Sequence, residues 1–423
     1  MSDLKLPGAP YIGYKNRKLM MEEVALAELI AQYGTPLFAY SKAAMLGALQ
    51  EYTRAFESRK ARIHYAMKAN SSLGVLRVFA QSGCGFDIVS AGELAKVLAA
   101  GGKAEHVIFS GVGKTRAEIR AALEAGICCF NVESEAELDI INEVALSAHT
   151  VAPISLRVNP NVDAKTHPYI STGLKDNKFG IAHDHALETY KRAAKLRGLK
   201  IKGIDCHIGS QITEISPYED AVSRVLDLVD SIEASGIPIE HLDFGGGLGI
   251  DYSGETPPKA DALWRRLFEL LDARGYGDRF IFVEPGRSLV GNAGVCLTSI
   301  EYLKEGEHKN FCIVDAAMND VPRPAMYEAF HAIVPLQQDN QASNTVYDIV
   351  GPVCESGDWL GKDRTLNVCV GDGLAILSAG AYCMSMSSNY NSRGRAAEVL
   401  IDKGNIQLIR RRETIEDLMR QEL

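Results

Sequence analysis

The chain has 423 residues, of which 46% are hydrophobic and 23% charged, and its formal net charge is −9. That length exceeds one ordinary core and predicts two domains, or one large barrel with an addition. The acidic balance argues against a nucleic-acid or membrane-surface role, and no run of about eighteen apolar residues exists to span a membrane.

Residues 1–14 carry no basic start followed by an apolar run, so no secretory leader is expected. Residues 11–21 are too short to stand alone and are expected to join a β domain formed further along the chain. From about residue 36 to 290, short apolar and β-branched runs alternate with longer amphipathic stretches. The predicted strands are 63–67, 85–89, 106–110, 127–132, 154–158, 202–206, 241–244 and 280–283. The clearest predicted helices are 91–100, 114–125, 134–146, 183–197, 217–235 and 261–274. Eight strand–helix units predict an α/β fold, a closed (β/α)8 TIM-like barrel; the alternative is an open doubly wound sheet. Beyond residue 290 the strand-like runs 293–302, 310–314, 345–350, 367–370, 398–401 and 406–410 lack regular helices between them. They predict a mostly β C-terminal domain, a β-barrel or sandwich. The expected division is thus 36–290 for the barrel, with 1–35 and 291–423 forming the β domain.

The nine cysteines are scattered, without a Cys-x-x-Cys pair. Neither a zinc site nor a disulfide framework is expected, and a reduced cytoplasmic compartment is the simplest inference.

Chemistry in such a barrel gathers at the C-terminal ends of the strands, and the predicted strands end in unusual residues. Lys68 follows the first, in Tyr65-Ala66-Met67-Lys68-Ala69-Asn70. Asp87, Ser90 and Glu93 follow the second, and Arg157-Val158-Asn159 ends the fifth. His207-Ile208-Gly209-Ser210 follows the sixth, Gly245-Gly246-Gly247 the seventh, and Glu284-Pro285-Gly286-Arg287 the eighth. A lysine at a strand end is an amine able to lose its proton and form a Schiff base. Adjacent glycines before a helix let backbone N–H groups approach an anion. A carboxylate such as Glu284 suits a protonated heterocyclic nitrogen. The three together imply pyridoxal 5'-phosphate. Two decoys fail. Gly113-Lys114-Thr115 lacks the glycine that a phosphate-binding P-loop needs at position 108, which is Ile108, and the glycine run lacks the last glycine of a dinucleotide fingerprint at Ile250.

With these motifs the chain resembles the fold-type III, alanine-racemase-like pyridoxal-phosphate decarboxylases. Further segments narrow the resemblance to the diaminopimelate decarboxylases: Met318-Asn319-Asp320, Arg323-Pro324-Ala325-Met326-Tyr327, Cys354-Glu355-Ser356-Gly357-Asp358, Gly380-Ala381-Tyr382 and residues 384–393. The resemblance implies decarboxylation of meso-diaminopimelate to L-lysine by a homodimer with shared active sites. It implies that Lys68 bonds the cofactor and His207 stacks on its ring. Ser210 and Gly245, Gly246 and Gly247 hold its phosphate, with Gly286 and Arg287 beside them, and Glu284 pairs with the pyridine nitrogen. Arg287, Arg323, Tyr327 and Glu355 are substrate contacts, Tyr382 touches cofactor and substrate, and Cys354 donates a proton from the neighbouring subunit. Lys178 is expected to pair with Asp358 across the dimer, and no metal is expected. Pro322 departs from the family pattern. Two other readings are a sister decarboxylase acting on ornithine, arginine or a carboxylated polyamine, and a non-catalytic pyridoxal-phosphate carrier. Arg323 as a carboxylate clamp speaks against ornithine and arginine, and the length and the Cys354-Glu355 segment speak against the carrier.

Overall fold

The computed structural model describes residues 6–163, 177–338 and 342–422. The chain divides into two compact units, one of Leu49–Gly249 and Thr256–Ser288, the other of Met1–Ala48, Ile250–Glu255 and Leu289–Leu423.

The first unit is a parallel barrel. Its strands are β1 (Ala61–Ala66), β2 (Gly85–Ile88), β3 (Val107–Phe109), β4 (Cys129–Val132), β5 (Ala152–Asn159), β6 (Leu199–Asp205), β7 (His241–Asp243) and β8 (Phe280–Val283). Each strand pairs with the next, and β8 returns to β1 with Ile281 opposite Ala61, so the ring closes. The open-sheet alternative is thereby excluded. Every residue of β2, β3 and β4 is buried, as strands covered on both faces require. Three of the intervening helices begin on capping side chains. Ser90 and Ser134 each accept from the backbone three residues on, and Thr115 with Glu118 forms a reciprocal capping box. These caps fix where the loops after β2, β3 and β4 stop, and so where the polar residues in those loops stand.

The second unit is built around the long strand Gly294–Lys304. Its first half pairs antiparallel with Leu37–Ser41 and Gly373–Ile376, its second half with Asn310–Val314. Leu37–Ser41 also lies parallel to Ala397–Asp402. The expected barrel start at residue 36 is therefore corrected: Leu37–Ser41 is a strand of this sheet, and the barrel unit begins at Leu49. The expected strand 367–370 is also corrected. It is a connection between the strands Trp359–Leu366 and Gly373–Ile376. Residues 11–21 supply a hairpin, Ile12–Lys15 with Lys18–Met21, whose Ile12, Leu19 and Met21 join Leu37, Val295, Leu297, Leu377 and Val399 in one apolar core. Among the described residues no helix is long and apolar enough to cross a membrane.

Candidate active site

Lys68 stands in a single helical turn, Met67–Ala69, directly after β1. Its ammonium nitrogen lies 2.9 Å from Oδ2 of Asp87, on β2. The Asp87 side chain is fully enclosed, while that of Lys68 keeps 38% of its exposure. The loop after β8 is sewn to the lysine strand, since the Ala66 N–H donates to the Pro285 carbonyl. Gly286 packs closely against Ala66 and Ala69 there, leaving no comfortable room for a side chain.

Behind Lys68 is a crowd of buried acids. Asp205 ends β6, Asp243 ends β7 and Glu284 follows β8; one carboxylate oxygen of each lies within 4.8 Å of the others. Burial, then the neighbouring Asp87, Asp243 and Asp205 carboxylates, pushes the Glu284 carboxyl well above its ordinary range. Burial, then Asp205, does the same to Asp243. Burial pushes Asp205 up to about 7 against the opposing pull of Arg157. Asn131, on β4, donates to Oε1 of Glu284 at 3.2 Å and holds it in place. Among the described residues Asp205 Oδ1, Asp243 Oδ2 and Asp87 Oδ1 are buried without a hydrogen-bond partner. The cations acting on the group are Lys68 and Arg157, and Arg157 already donates to Glu133 at 3.0 Å. The cluster therefore has room for another positive charge.

Glu133 is a junction. Its two oxygens accept from Arg157, from the Gly111 N–H and from the Gly180 N–H, joining the strand-end segments after β3, β4 and β5. Its own N–H donates to Glu137, whose other oxygen binds the buried Lys114 ammonium at 2.7 Å. Lys114, discarded as a nucleotide-binding lysine, is thus a structural cation that also donates to the carbonyls of Gly111 and Asn131.

The glycine run after β7 is tightly shaped. Gly245 and Gly247 have φ of +62° and +98°, in the region that favours glycine. A Cβ on Gly246 would collide with the Glu284 carbonyl oxygen. The Gly246 N–H donates to Nδ1 of His207 at 3.2 Å. That nitrogen is therefore unprotonated, and the ring is neutral with its proton on Nε2. Burial, then Arg157 and Lys68, lowers the His207 pKa well below the ordinary value and reinforces the neutral form. Arg287, buried at the start of the short helix Arg287–Val290, donates to Ser210 Oγ at 2.9 Å. The barrel unit thus brings together Lys68, His207, Ser210, Gly245, Gly246, Gly247, Glu284, Gly286 and Arg287. A protonated ring nitrogen would meet the carboxylates and a phosphate would meet the glycine loop, so the residues present fit pyridoxal 5'-phosphate.

Arg323, Tyr327, Cys354, Glu355, Asp358 and Tyr382 lie in the β unit, and Lys178 in the barrel unit. Arg323 opens the helix Arg323–Tyr327, and Tyr327, half-buried, closes it. Pro322 is accommodated because it occupies the position before the helix, where no N–H is needed and its carbonyl accepts from Met326. Cys354 and Glu355 are exposed, and the Cys354 N–H is held by the Asn391 side chain at 2.8 Å. Tyr382 has φ +57°, a costly conformation for a bulky residue. Both Asp358 oxygens accept backbone N–H groups at 2.7 Å, from Met318 and Val353. Lys178, exposed, lies over its neighbour Phe179 at 5.1 Å.

Sequence reasoning missed Asp205, Asp243, Asn131 and Glu133. Their signal was available: a carboxylate or amide inside an apolar strand must find a partner there.

Comparison with known proteins points to the same cofactor. Residues 43–291 match the family described as pyridoxal-dependent decarboxylase, pyridoxal binding domain. A diaminopimelate decarboxylase of Neisseria meningitidis serogroup A is 55% identical over 405 residues, covering 96% of this chain and 99% of the relative. The crystal structure of the Helicobacter pylori diaminopimelate decarboxylase complexed with L-lysine is 42% identical, with TM-score 0.89 over 94% of this chain and 99% of that one. That of the M. jannaschii enzyme in co-complex with L-lysine is 38% identical, with TM-score 0.94 over 99% of both chains. The chain belongs to the pyridoxal-dependent decarboxylases, in the family of the diaminopimelate decarboxylases.

Proposed function

We propose that this chain decarboxylates meso-2,6-diaminopimelate to L-lysine, the closing step of lysine biosynthesis, with pyridoxal 5'-phosphate as cofactor. The observation that carries the reading is Lys68 at a barrel strand end among four buried carboxyls, in a chain that aligns along 96% of its length with a diaminopimelate decarboxylase.

When bound, the cofactor supplies an electron sink for the carbanion left at the substrate α-carbon. The chain's residues do the rest. Lys68 holds the cofactor covalently. Glu284, fixed by Asn131, keeps the ring nitrogen protonated, and a cation there draws Asp243 and Glu284 toward their charged forms. His207, neutral, stacks on the ring without adding charge. Ser210, the Gly245–Gly247 loop and Gly286 hold the phosphate, and Arg287, bonded to Ser210, adds a guanidinium to it or to the substrate.

Arg323 and Tyr327 take the distal carboxylate of the substrate, Glu355 its distal ammonium, and Tyr382 contacts both cofactor and substrate. Holding that far end orients the α-carboxylate for loss. Cys354 Sγ then protonates the α-carbon. The exposure of Cys354 and Glu355 suits residues donated to a second copy of this chain, so we assign a homodimer with shared sites, working in the cytoplasm. Asp358, its oxygens committed to backbone N–H groups of its own unit, shapes the Cys354–Glu355 turn, and a cross-dimer pair with Lys178 gains no support from it.

Carbon dioxide release from meso-diaminopimelate, and not from the L,L isomer, ornithine or arginine, tests the activity; no release from any diaminopimelate isomer refutes it. Mixing Lys68→Ala with Cys354→Ala chains tests the shared site. Each alone is inactive, and exchange of subunits restores part of the activity; continued inactivity of an exchanged mixture excludes sharing.

A further inference from the structure

Arg323 is held by a device that none of the motifs announces. Nη1 of Arg323 lies 2.8 Å from Nε2 of His331, and Nδ1 of His331 lies 2.8 Å from the Leu377 carbonyl oxygen. A carbonyl only accepts, so Nδ1 carries the ring proton. A guanidinium only donates, so Nε2 is the acceptor. His331 is therefore neutral, in one tautomer, with a fixed neighbour on each nitrogen. It is fully buried, and Arg323 retains 6% exposure. The guanidinium carbon sits 4.5 Å from the centre of the Tyr252 ring, and Tyr252 meets His331 edge to face at 5.4 Å. The Arg323 backbone is stiffened by Pro322 and Pro324 on either side.

We propose that His331 is a positioning residue for substrate specificity: it clamps the Arg323 guanidinium in one orientation without neutralising it, so that its Nε–Nη2 edge reads the carboxylate at the far end of a diamino-dicarboxylate. The inference rests on the reading that Arg323 binds that carboxylate. The choice of histidine follows from charge. An Asp or Glu at position 331 would hold Arg323 equally well but would cancel the charge the substrate has to meet. A neutral imidazole orients the fork and leaves its full positive charge available. Tyr252 acts similarly, through a ring face that carries no net charge. Restriction before binding reduces the ordering cost when substrate arrives, so the benefit belongs in substrate affinity rather than in the chemical step.

The test uses the holoenzyme with meso-diaminopimelate. His331→Phe keeps a planar ring and removes the acceptor; KM rises by roughly tenfold or more, the loss of a hydrogen bond to a charged group, while kcat stays within a few-fold and the visible absorbance of the bound cofactor is unchanged. His331→Glu restores an acceptor but raises KM comparably, because it neutralises the guanidinium. His331→Gln, a neutral acceptor, stays near the parent. In an Arg323→Lys background His331→Phe adds nothing further. A parent-like KM in His331→Phe, beside a raised KM in Arg323→Lys, reduces His331 to packing and overturns the proposal. An unchanged KM in Arg323→Lys instead overturns the carboxylate reading of Arg323. If His331→Phe fails to fold, the Glu and Gln variants decide: similar KM values in both overturn the proposal.

Discussion

Nζ of Lys68 and Oδ2 of Asp87 are 2.9 Å apart, the ammonium partly open and the carboxylate fully enclosed. The lysine proposed to bond the cofactor is thus paired with a carboxylate on the neighbouring strand, and must give up both a proton and this partner to react. Lys68→Ala is expected to abolish the visible absorbance of bound pyridoxal phosphate and to lower decarboxylation at least a hundredfold. Asp87→Asn removes the carboxylate partner that the Lys68 amine has to leave in order to react. The apoenzyme variant should capture added cofactor several-fold faster in stopped-flow absorbance, and slower capture would refute this account.

Asp205 connects the site to stability. Its carboxyl is raised by burial from an ordinary 3.8 to about 7, so the fold prefers the protonated form. Between roughly pH 4 and 7 Asp205 keeps its proton in the folded apoenzyme and loses it in the unfolded chain, so its contribution to stability falls as pH rises through that window. Asp205→Asn removes this group's share of the dependence, to which the buried Asp243 and Glu284 also contribute. Melting temperatures of the two apoenzymes should coincide near pH 4, with the variant higher at pH 7.5. A constant difference across the range counts against the account.

Gly246 has its N–H on His207 and its missing Cβ against the Glu284 carbonyl. Gly246→Ala forces the glycine loop away from the β8 loop, at a cost of about 1–3 kcal/mol. The expected result is a lower melting temperature together with weaker cofactor retention on dialysis. Full retention with a parent-like melt would show that the two loops can part freely.

Lys114 and Glu137 form an ion pair whose Lys114 side chain is completely enclosed. Lys114→Met leaves Glu137 buried and uncompensated, which typically costs about 3–5 kcal/mol. Adding Glu137→Leu should recover most of it, which thermal melting of the single and double variants measures. A double variant no better than the single one would mean that Glu137 is needed by its other bond, to the Glu133 N–H.

All eight barrel strands were legible because a parallel strand buried on both faces is a short apolar run, and these runs stop at a glycine, a helix cap, or a polar or charged residue. Lys68, Glu284 and the glycine loop were legible for the same reason, as abrupt chemistry at the ends of such runs. Leu37–Ser41 misled because it too is an apolar run followed by a helix; its partners, Gly294–Leu297 and Ala397–Ile401, are hundreds of residues away and invisible to a local pattern. Trp359–Leu366 was missed because charged residues interrupt it and Asp363 has φ +53°. Asp205 and Asp243 sit within runs rather than after them, and His331 carries no motif; its meaning comes from the Leu377 carbonyl that fixes its proton.

The strand Leu37–Ser41 also sets an order of events during synthesis. It leaves the ribosome before any of the barrel, yet both strands that flank it are made after the barrel is complete. Seven of the barrel's eight strand pairings join successive strands, so it can build up as it emerges and close once β8 arrives. The early strand, apolar and with both edges unpaired, waits for Gly294–Lys304 and then Ala397–Asp402 to arrive. A chain stopped before residue 397 therefore has a finished barrel and a sheet with an open edge, and aggregation through Leu37–Ser41 is its expected fate.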